Sequence, residues 1–189
     1  PGAPRRGMGL ARAPASVGEA GGRAGWNDLM PVQSRALPYL LAGQDIMVQS
    51  RTGSGKTGAF VLHTLERLDP SKNECQALIL VPTRELALQV ASEATVLFGE
   101  TGLKVAALYG GVAYGKQHDA LRGGAQLVVG TPGRVLDHLL KRNFNLDALR
   151  MLVLDEADRM LSIGFYPDMK EVQRYLPKHH IPTHFFSAT

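Results

Sequence analysis

Two stretches of this 189-residue chain carry side chains suited to nucleotide chemistry. The first runs from Ser50 to Thr57 and reads Ser-Arg-Thr-Gly-Ser-Gly-Lys-Thr. It follows the apolar segment 45–49 and precedes a helix-forming segment, which is the context of a phosphate-binding loop. Its glycines let several backbone N–H groups point at one anion, and the helix N-terminus adds partial positive charge. The sequence therefore predicts a phosphate site here.

Individual residues of this loop have expected roles. Lys56 supplies a full positive charge for the outer phosphates, and the hydroxyl of Thr57 can ligate Mg²⁺. One position departs from the usual pattern, because Ser50 stands where glycine is common. A turn of small residues that happens to precede a helix is the alternative interpretation. The predicted nucleotide-binding residues of the loop are Ser50, Arg51, Thr52, Gly53, Ser54, Gly55, Lys56 and Thr57.

The second stretch is Asp155-Glu156-Ala157-Asp158, which follows the apolar segment 151–154. A carboxylate at the end of a buried strand is costly to desolvate unless it serves a cation. We predict that Asp155 holds Mg²⁺, directly or through water, and that Glu156 orients or deprotonates an attacking water. An acidic cap on the following helix is the alternative.

Composition limits the classes of protein to which the chain can belong. The net charge of +4 and pI near 9.4 are compatible with an anionic partner. A single cysteine, Cys75, excludes an internal disulfide framework, indicates a reducing intracellular compartment, and is expected to be inert. No apolar stretch approaches the ~18 residues of a membrane span, so we expect no membrane partner. His179, His180 and His184 fit no standard zinc spacing, and we predict a solvated loop there.

Strand-like and helix-like segments alternate from Trp26 onward, which predicts right-handed crossovers and a mostly parallel sheet covered by helices on both faces. Ligands of such sheets bind at the C-terminal ends of the strands. The predicted strands are 45–49, 76–81, 104–108, 126–129, 150–154 and 183–186, and the predicted helices are 31–42, 56–68, 84–98, 114–122, 133–141 and 166–175.

Residues 1–25 differ in composition from the single domain predicted over 26–189. They are rich in Gly, Ala, Pro and Arg with almost no large apolar side chains, which predicts a flexible tail. A transit peptide is the alternative, because Glu19 is the one acidic residue, but serine is scarce. The chain begins with Pro1, so it is expected to be a fragment or a processed chain.

The phosphate loop and the acidic stretch, in this order, resemble the first RecA-like domain of the DEAD-box RNA helicases. The resemblance covers essentially residues 25–189. It implies a three-layer RecA-like α/β sandwich that uses ATP and Mg²⁺ and acts on RNA. Further short motifs stand in the expected order, namely Pro31-Val32-Gln33, Pro82-Thr83-Arg84-Glu85-Leu86, Gly110-Gly111, Thr131-Pro132-Gly133-Arg134 and Ser187-Ala188-Thr189.

The resemblance assigns a role to each motif. Gln33 carries an amide donor and acceptor that can pair with adenine, so it is expected to select ATP. The residues of three other motifs are expected to hold the backbone of single-stranded RNA, so that binding is independent of RNA sequence and sensitive to salt. A third group is expected to couple nucleotide state to RNA binding. The RNA group is Pro82, Thr83, Arg84, Gly110, Gly111, Thr131, Pro132, Gly133 and Arg134, and the coupling group is Asp158, Ser187 and Thr189.

The adenine-binding segment departs from the family pattern. Leu29-Met30 stand where Pro-Thr is usual, Ser16 stands near the expected stacking aromatic, and Trp26 occupies a different position. We therefore expect weaker ATP affinity and looser base selectivity than in typical members.

The family's second RecA-like domain is absent from this chain. That domain supplies arginines that reach the γ-phosphate, contacts worth ~10³-fold or more in rate. We expect the ATPase domain of an RNA helicase, which hydrolyses ATP to unwind RNA together with that second domain and which, as an isolated monomer, turns over little ATP. The alternatives are a nucleotide- and RNA-binding module without useful catalysis, and a phosphate-loop ATPase that acts on DNA or protein.

Overall fold

A computed structural model describes residues 7–9, 13–49 and 55–187 of the chain. Its strands are β1 (Ile46–Gln49), β2 (Ala77–Leu80), β3 (Val105–Leu108), β4 (Leu127–Gly130), β5 (Met151–Asp155) and β6 (Thr183–Ser187). Its helices are α1 (Ala15–Arg23), α2 (Pro31–Leu41), α3 (Lys56–Arg67), α4 (Arg84–Phe98), α5 (Tyr114–Arg122), α6 (Pro132–Leu140), α7 (Ala157–Ile163) and α8 (Tyr166–Gln173). All six predicted strands and all six predicted helices are confirmed, with small shifts at their ends.

The strands form one parallel sheet in the order β1-β6-β5-β2-β4-β3. Its apolar side chains alternate between two cores: Ile79 and Val153 lie in one, while Leu78 and Leu152 lie in the other. Burial on both faces explains why the central strands β2, β4 and β5 are continuously apolar. The first core includes side chains of α1, α3 and α4, and the second includes side chains of α5 to α8. The fold is thus a three-layer sandwich.

The strand order divides the C-terminal edge of the sheet into two neighbouring halves. Asp155 is in register with Phe186, and Gln49 is in register with Ser187, so the ends of β1, β6 and β5 lie together. Gly130 is in register with Leu80 and with Leu108, so the ends of β2, β4 and β3 also lie together. The two predicted nucleotide motifs therefore fall in one half and the three predicted RNA motifs in the other.

The prediction of a flexible tail is wrong for Ala15–Arg23, which form α1. Val17 and Ala20 are fully buried against the first core. The Nε of Arg23 donates to the carbonyl oxygen of Leu97 at 3.2 Å, near the end of α4. Tertiary contacts thus stabilise a helix whose Gly-rich sequence has little helical propensity of its own.

The prediction of a solvated loop is wrong for His184, which is fully buried in β6. Its ring meets the ring of His63 on α3 edge to face, with centroids 6.0 Å apart. His179 and His180 are exposed, as predicted, and His180 Nε2 lies 3.3 Å from Asp45 Oδ1. The sequence prediction failed because a strand position that faces a helix can bury a neutral imidazole.

The structure also bears on the reactivity of Cys75 and on membrane-spanning helices. Cys75 is buried, and burial raises the pKa of its thiol to about 12, so the thiol is protonated and inert as predicted. Within the described ranges, no helix is long and apolar enough to cross a membrane.

Candidate nucleotide site and nucleic-acid face

Lys56 and Asp155 meet at the C-terminal edge of the sheet. Lys56 opens α3 directly after Gly55, whose φ of 86° places it in the left-handed region that glycine favours. Asp155 ends β5 and is fully buried. Lys56 Nζ lies 3.2 Å from Asp155 Oδ1. The structure thus brings together a cation and a carboxylate that are about a hundred residues apart in sequence.

Burial dominates the electrostatics of Asp155. It raises the pKa of this carboxyl group, while Lys56 and the backbone N–H of Glu156 oppose that rise. Among the described residues, neither carboxylate oxygen accepts a hydrogen bond of ordinary geometry. A buried carboxylate with spare acceptor capacity beside a buried lysine fits Mg²⁺, which usually takes one or two carboxylates together with substrate phosphates. Asp155 and the Thr57 hydroxyl would hold it.

Glu156 has a strained backbone beside this pair. Its φ of 52° and ψ of 49° lie in the left-handed region, which is uncommon for a residue with a Cβ. Its Oε1 lies 3.6 Å from Arg159 Nη1, and its side chain lines the same cavity as Lys56. Strain of this kind concentrates at functional sites.

The cavity measures about 420 Å³ and lies between α2, α3, α4 and the segment that follows α1. Trp26, Gln33, Lys56, Thr57 and Glu156 are among the side chains that line it. Gly58 makes room for two of them, because a Cβ there would lie 2.8 Å from Trp26 Cη2 and 2.5 Å from Gln33 Nε2. A volume of this size suits a nucleotide base and sugar.

Gln33 already uses its amide within the protein. Its Oε1 accepts a hydrogen bond from Met30 N at 2.9 Å, and its Nε2 donates to Gly55 O at 3.1 Å. The side chain is 2% exposed. Gln33 therefore connects the start of α2 to the end of the phosphate loop, and its expected contact with adenine stays a prediction.

Glu93 lines the cavity too and was missed by the sequence analysis. Burial raises the pKa of its carboxyl group, and the charge of Asp155 raises it further. The sequence offered no signal, because Glu93 lies in an ordinary stretch of α4. Ser50 to Ser54 and Thr189 lie outside the described residues, and their predicted roles stay predictions.

The three predicted RNA motifs share the other half of the edge. Pro82-Thr83 follow β2, and Thr83 Oγ1 accepts a hydrogen bond from Leu86 N at 3.2 Å, which caps α4. Thr131 precedes α6, with Pro132 in its first turn. Both helices therefore begin at the sheet edge with free N–H groups that can face phosphates. Gly133 is exposed at the start of α6.

Two arginines lie close to the Gly110-Gly111 turn. A Cβ on Gly110 would lie 3.9 Å from Arg134 Nη2, and one on Gly111 would lie 3.8 Å from Arg84 Nη1. Gly111 has a φ of 80°, which favours glycine. Arg84 also stacks on the Tyr109 ring at 5.3 Å. The structure thus clusters two cations and an exposed backbone turn, a combination suited to a sugar-phosphate chain.

Asp158 and Ser187 both belong to the nucleotide half of the sheet edge. Asp158 is in the first turn of α7, and Ser187 ends β6 next to β5. Their coupling role stays a prediction.

Comparison with known proteins agrees with this geometry. The family model described as DEAD/DEAH box helicase matches residues 30–189. This chain belongs to the DEAD/DEAH box helicase family.

Relatives in this family are considerably longer. The chain is 48% identical over 167 residues to the ATP-dependent RNA helicase DeaD of Haemophilus influenzae, an alignment of 87% of this chain and 27% of the relative. It is 49% identical over 166 residues to the ATP-dependent RNA helicase DbpA of Escherichia coli, covering 87% of this chain and 36% of that relative. The chain thus spans about a third of these relatives or less.

A solved member of the family shares the fold. The crystal structure of a DEAD box protein from Methanococcus jannaschii matches with a TM-score of 0.86 and 39% sequence identity, over 93% of this chain and 48% of that one. The predicted RecA-like α/β fold is confirmed.

Proposed function

We propose that this chain is the nucleotide- and RNA-binding RecA-like domain of an ATP-dependent RNA helicase. The observation that carries the proposal is the buried Lys56–Asp155 contact of 3.2 Å beside a cavity lined by Glu156 and Thr57. It supports an ATP–Mg²⁺ site, because cation, carboxylate and hydroxyl are the groups that phosphoryl transfer needs around a nucleotide.

Each side chain has a defined task in this proposal. Lys56 binds the outer phosphates, and Asp155 and Thr57 hold Mg²⁺, which neutralises charge on those phosphates when bound. Glu156 orients the attacking water and accepts its proton. Gln33 holds the carbonyl of Gly55 and thereby the end of the phosphate loop.

The neighbouring half of the sheet edge binds RNA through its backbone. Arg84 and Arg134 contact phosphates on either side of the Gly110-Gly111 turn, and the helix N-termini after Thr83 and Thr131 contribute N–H groups. A second RecA-like domain supplies further arginines and the rest of the RNA site, so this chain turns over ATP slowly by itself.

Equilibrium ATP binding and steady-state ATP hydrolysis, each measured with and without single-stranded RNA, test the proposal, with Lys56→Ala as the blank. We expect ATP binding with turnover close to that of the blank, in both conditions. RNA-stimulated turnover well above the blank would show that this half is catalytically complete. Absence of ATP binding would overturn the proposal, and equal competition by DNA of the same sequence would overturn its choice of RNA.

A further inference from the structure

Gln117 is a buried amide at the centre of the proposed RNA-binding half. It lies on α5 with 5% of its surface exposed. Its Nε2 donates to the carbonyl oxygen of Tyr109 at 2.7 Å. Its Oε1 faces Arg134 Nη1 at 3.4 Å and His138 Nε2 at 3.3 Å. One side chain therefore connects the start of the loop after β3 to two residues of α6.

The hydrogen-bond donors and acceptors around Gln117 agree with a single tautomer of His138. Asn143 Nδ2 lies 2.9 Å from His138 Nδ1 and donates to it, so the proton of the neutral ring is on Nε2. That proton is donated to Gln117 Oε1, which leaves Gln117 Nε2 to donate to Tyr109. Burial lowers the pKa of His138 to about 4, and the nearby Arg134, His118 and Lys141 lower it while Asp137 raises it. The ring is therefore neutral near pH 7.

Aromatic and cationic contacts support the same arrangement. The rings of Tyr114 and His138 stack with centroids 4.3 Å apart and planes 5° from parallel. Arg134 Cζ lies 5.6 Å and Lys141 Nζ 4.4 Å from the centroid of the Tyr114 ring. The Arg134 guanidinium is thus held between the Tyr114 ring and the Gln117 amide, with its other nitrogen toward Gly110.

We propose that Gln117 is a positioning residue for RNA binding, which fixes the distance between the Gly110-Gly111 turn and the Arg134 guanidinium so that both contact one strand. The inference rests on the proposed function, because it needs RNA at this face. Gln117 itself does not contact the strand. Its contribution is to order Arg134 before binding, and ordering such a side chain at the moment of binding weakens affinity roughly three- to tenfold.

Binding of a fluorescein-labelled oligouridylate to the 189-residue chain, measured by anisotropy, tests this role. Gln117→Leu is expected to bind roughly three- to tenfold more weakly than wild type. The matched control is Gln126→Leu. Gln126 is fully buried, accepts from Lys104 N at 2.8 Å and donates to Lys72 O at 3.1 Å, and precedes β4 at the opposite edge of the sheet. Both variants lose stability, but the control retains wild-type RNA affinity well below its melting temperature.

A double-mutant cycle with Arg134→Ala separates positioning from general loss of structure. In the Arg134→Ala background, Gln117→Leu is expected to weaken binding by less than about twofold, because the side chain that it positions is gone.

The outcomes distinguish this inference from the function on which it rests. If wild type does not bind the oligonucleotide, both are wrong. If wild type binds and Arg134→Ala weakens binding, while Gln117→Leu equals Gln126→Leu or its effect simply adds to that of Arg134→Ala, only the role of Gln117 is wrong.

Discussion

Lys56 Nζ and Asp155 Oδ1 form an ion pair of 3.2 Å in which both side chains are buried. The pair joins the first residue of α3 to the last residue of β5. In the proposed reaction, Lys56 serves phosphate and Asp155 serves Mg²⁺. Each of the two side chains therefore has a structural task, as half of the ion pair, and a chemical task toward the nucleotide.

Lys56→Ala should lower the free energy of unfolding by ~3 kcal/mol or more, because it leaves a buried carboxylate without its cation. Urea unfolding measures the change. Lys141→Ala is the matched control, since Lys141 pairs with Asp137 at 3.5 Å on the surface of α6. It should cost less than about 1 kcal/mol. Equal costs for the two variants would contradict the assigned burial of the Lys56 pair.

Glu156→Gln should keep ATP binding and lower the slow single-turnover hydrolysis of the chain to the level of Lys56→Ala, because the amide cannot accept the proton of the attacking water. Single-turnover assays with the chain in excess over ATP measure the loss. Persistent hydrolysis would refute the role of Glu156.

Glu156→Gly should raise the free energy of unfolding by roughly 0.5–1 kcal/mol, because it relieves the left-handed backbone. Arg142→Gly is the matched control, since Arg142 has a φ of 56° and lies outside the nucleotide cavity. Both variants should be stabilised in thermal unfolding, and only Glu156→Gly should lose hydrolysis. A destabilised Glu156→Gly would show that the glutamate side chain stabilises this turn.

Stability should fall steeply in mild acid because His63 and His184 are buried as neutral rings. Burial lowers the pKa of His63 to about 3 and that of His184 to about 4, from 6.5 in the unfolded chain. The unfolded state therefore binds more protons between pH 6.5 and 4, and the stability present above pH 6.5 is lost through that window. Each histidine contributes up to ~1.4 kcal/mol per pH unit.

Unfolding of His63→Leu/His184→Leu between pH 7 and 4.5 measures this contribution, with the exposed His179→Leu as control. The double variant should show a flatter dependence on pH, and the control should follow wild type. An unchanged slope in the double variant would place the acid sensitivity elsewhere.

RNA affinity should fall with salt, and each lost phosphate contact should reduce the slope of log K against log salt concentration by ~0.7. Arg84→Ala is expected to show this reduction. Arg174→Ala, whose side chain pairs with Glu171 on α8 at 3.2 Å, should keep the wild-type slope. A wild-type slope in Arg84→Ala would remove Arg84 from the RNA contacts.

Selectivity for the nucleotide base should be loose for two reasons. The amide of Gln33 is already hydrogen-bonded to Met30 and Gly55. In addition, Trp26 takes a different position from the expected stacking aromatic. Competition of ATP and GTP for the chain should give similar affinities. A strong preference for ATP would show that Gln33 exchanges these internal bonds for adenine.

The sheet could be predicted because its strands are short apolar runs, such as Leu78 to Leu80, that are buried on both faces. Helix α1 could not, because Val17 and Ala20 become a helix face only against a core formed by distant residues. The separate roles of Lys56 and Asp155 were predicted from their motifs, whereas the direct contact between the two side chains was not. Gln117 and Glu93 were missed because in sequence a buried amide and a cavity-lining carboxylate look like any polar residue of a helix.

The most direct test of the account is to titrate both ligands, ATP with Mg²⁺ and single-stranded RNA, onto two variants. Lys56→Ala should lose ATP binding and keep RNA binding, whereas Arg84→Ala/Arg134→Ala should keep ATP binding and lose RNA binding. This crossed pattern would establish two sites on the two halves of one sheet edge. Wild-type ATP binding by Lys56→Ala, or loss of both ligands in either variant, would contradict it.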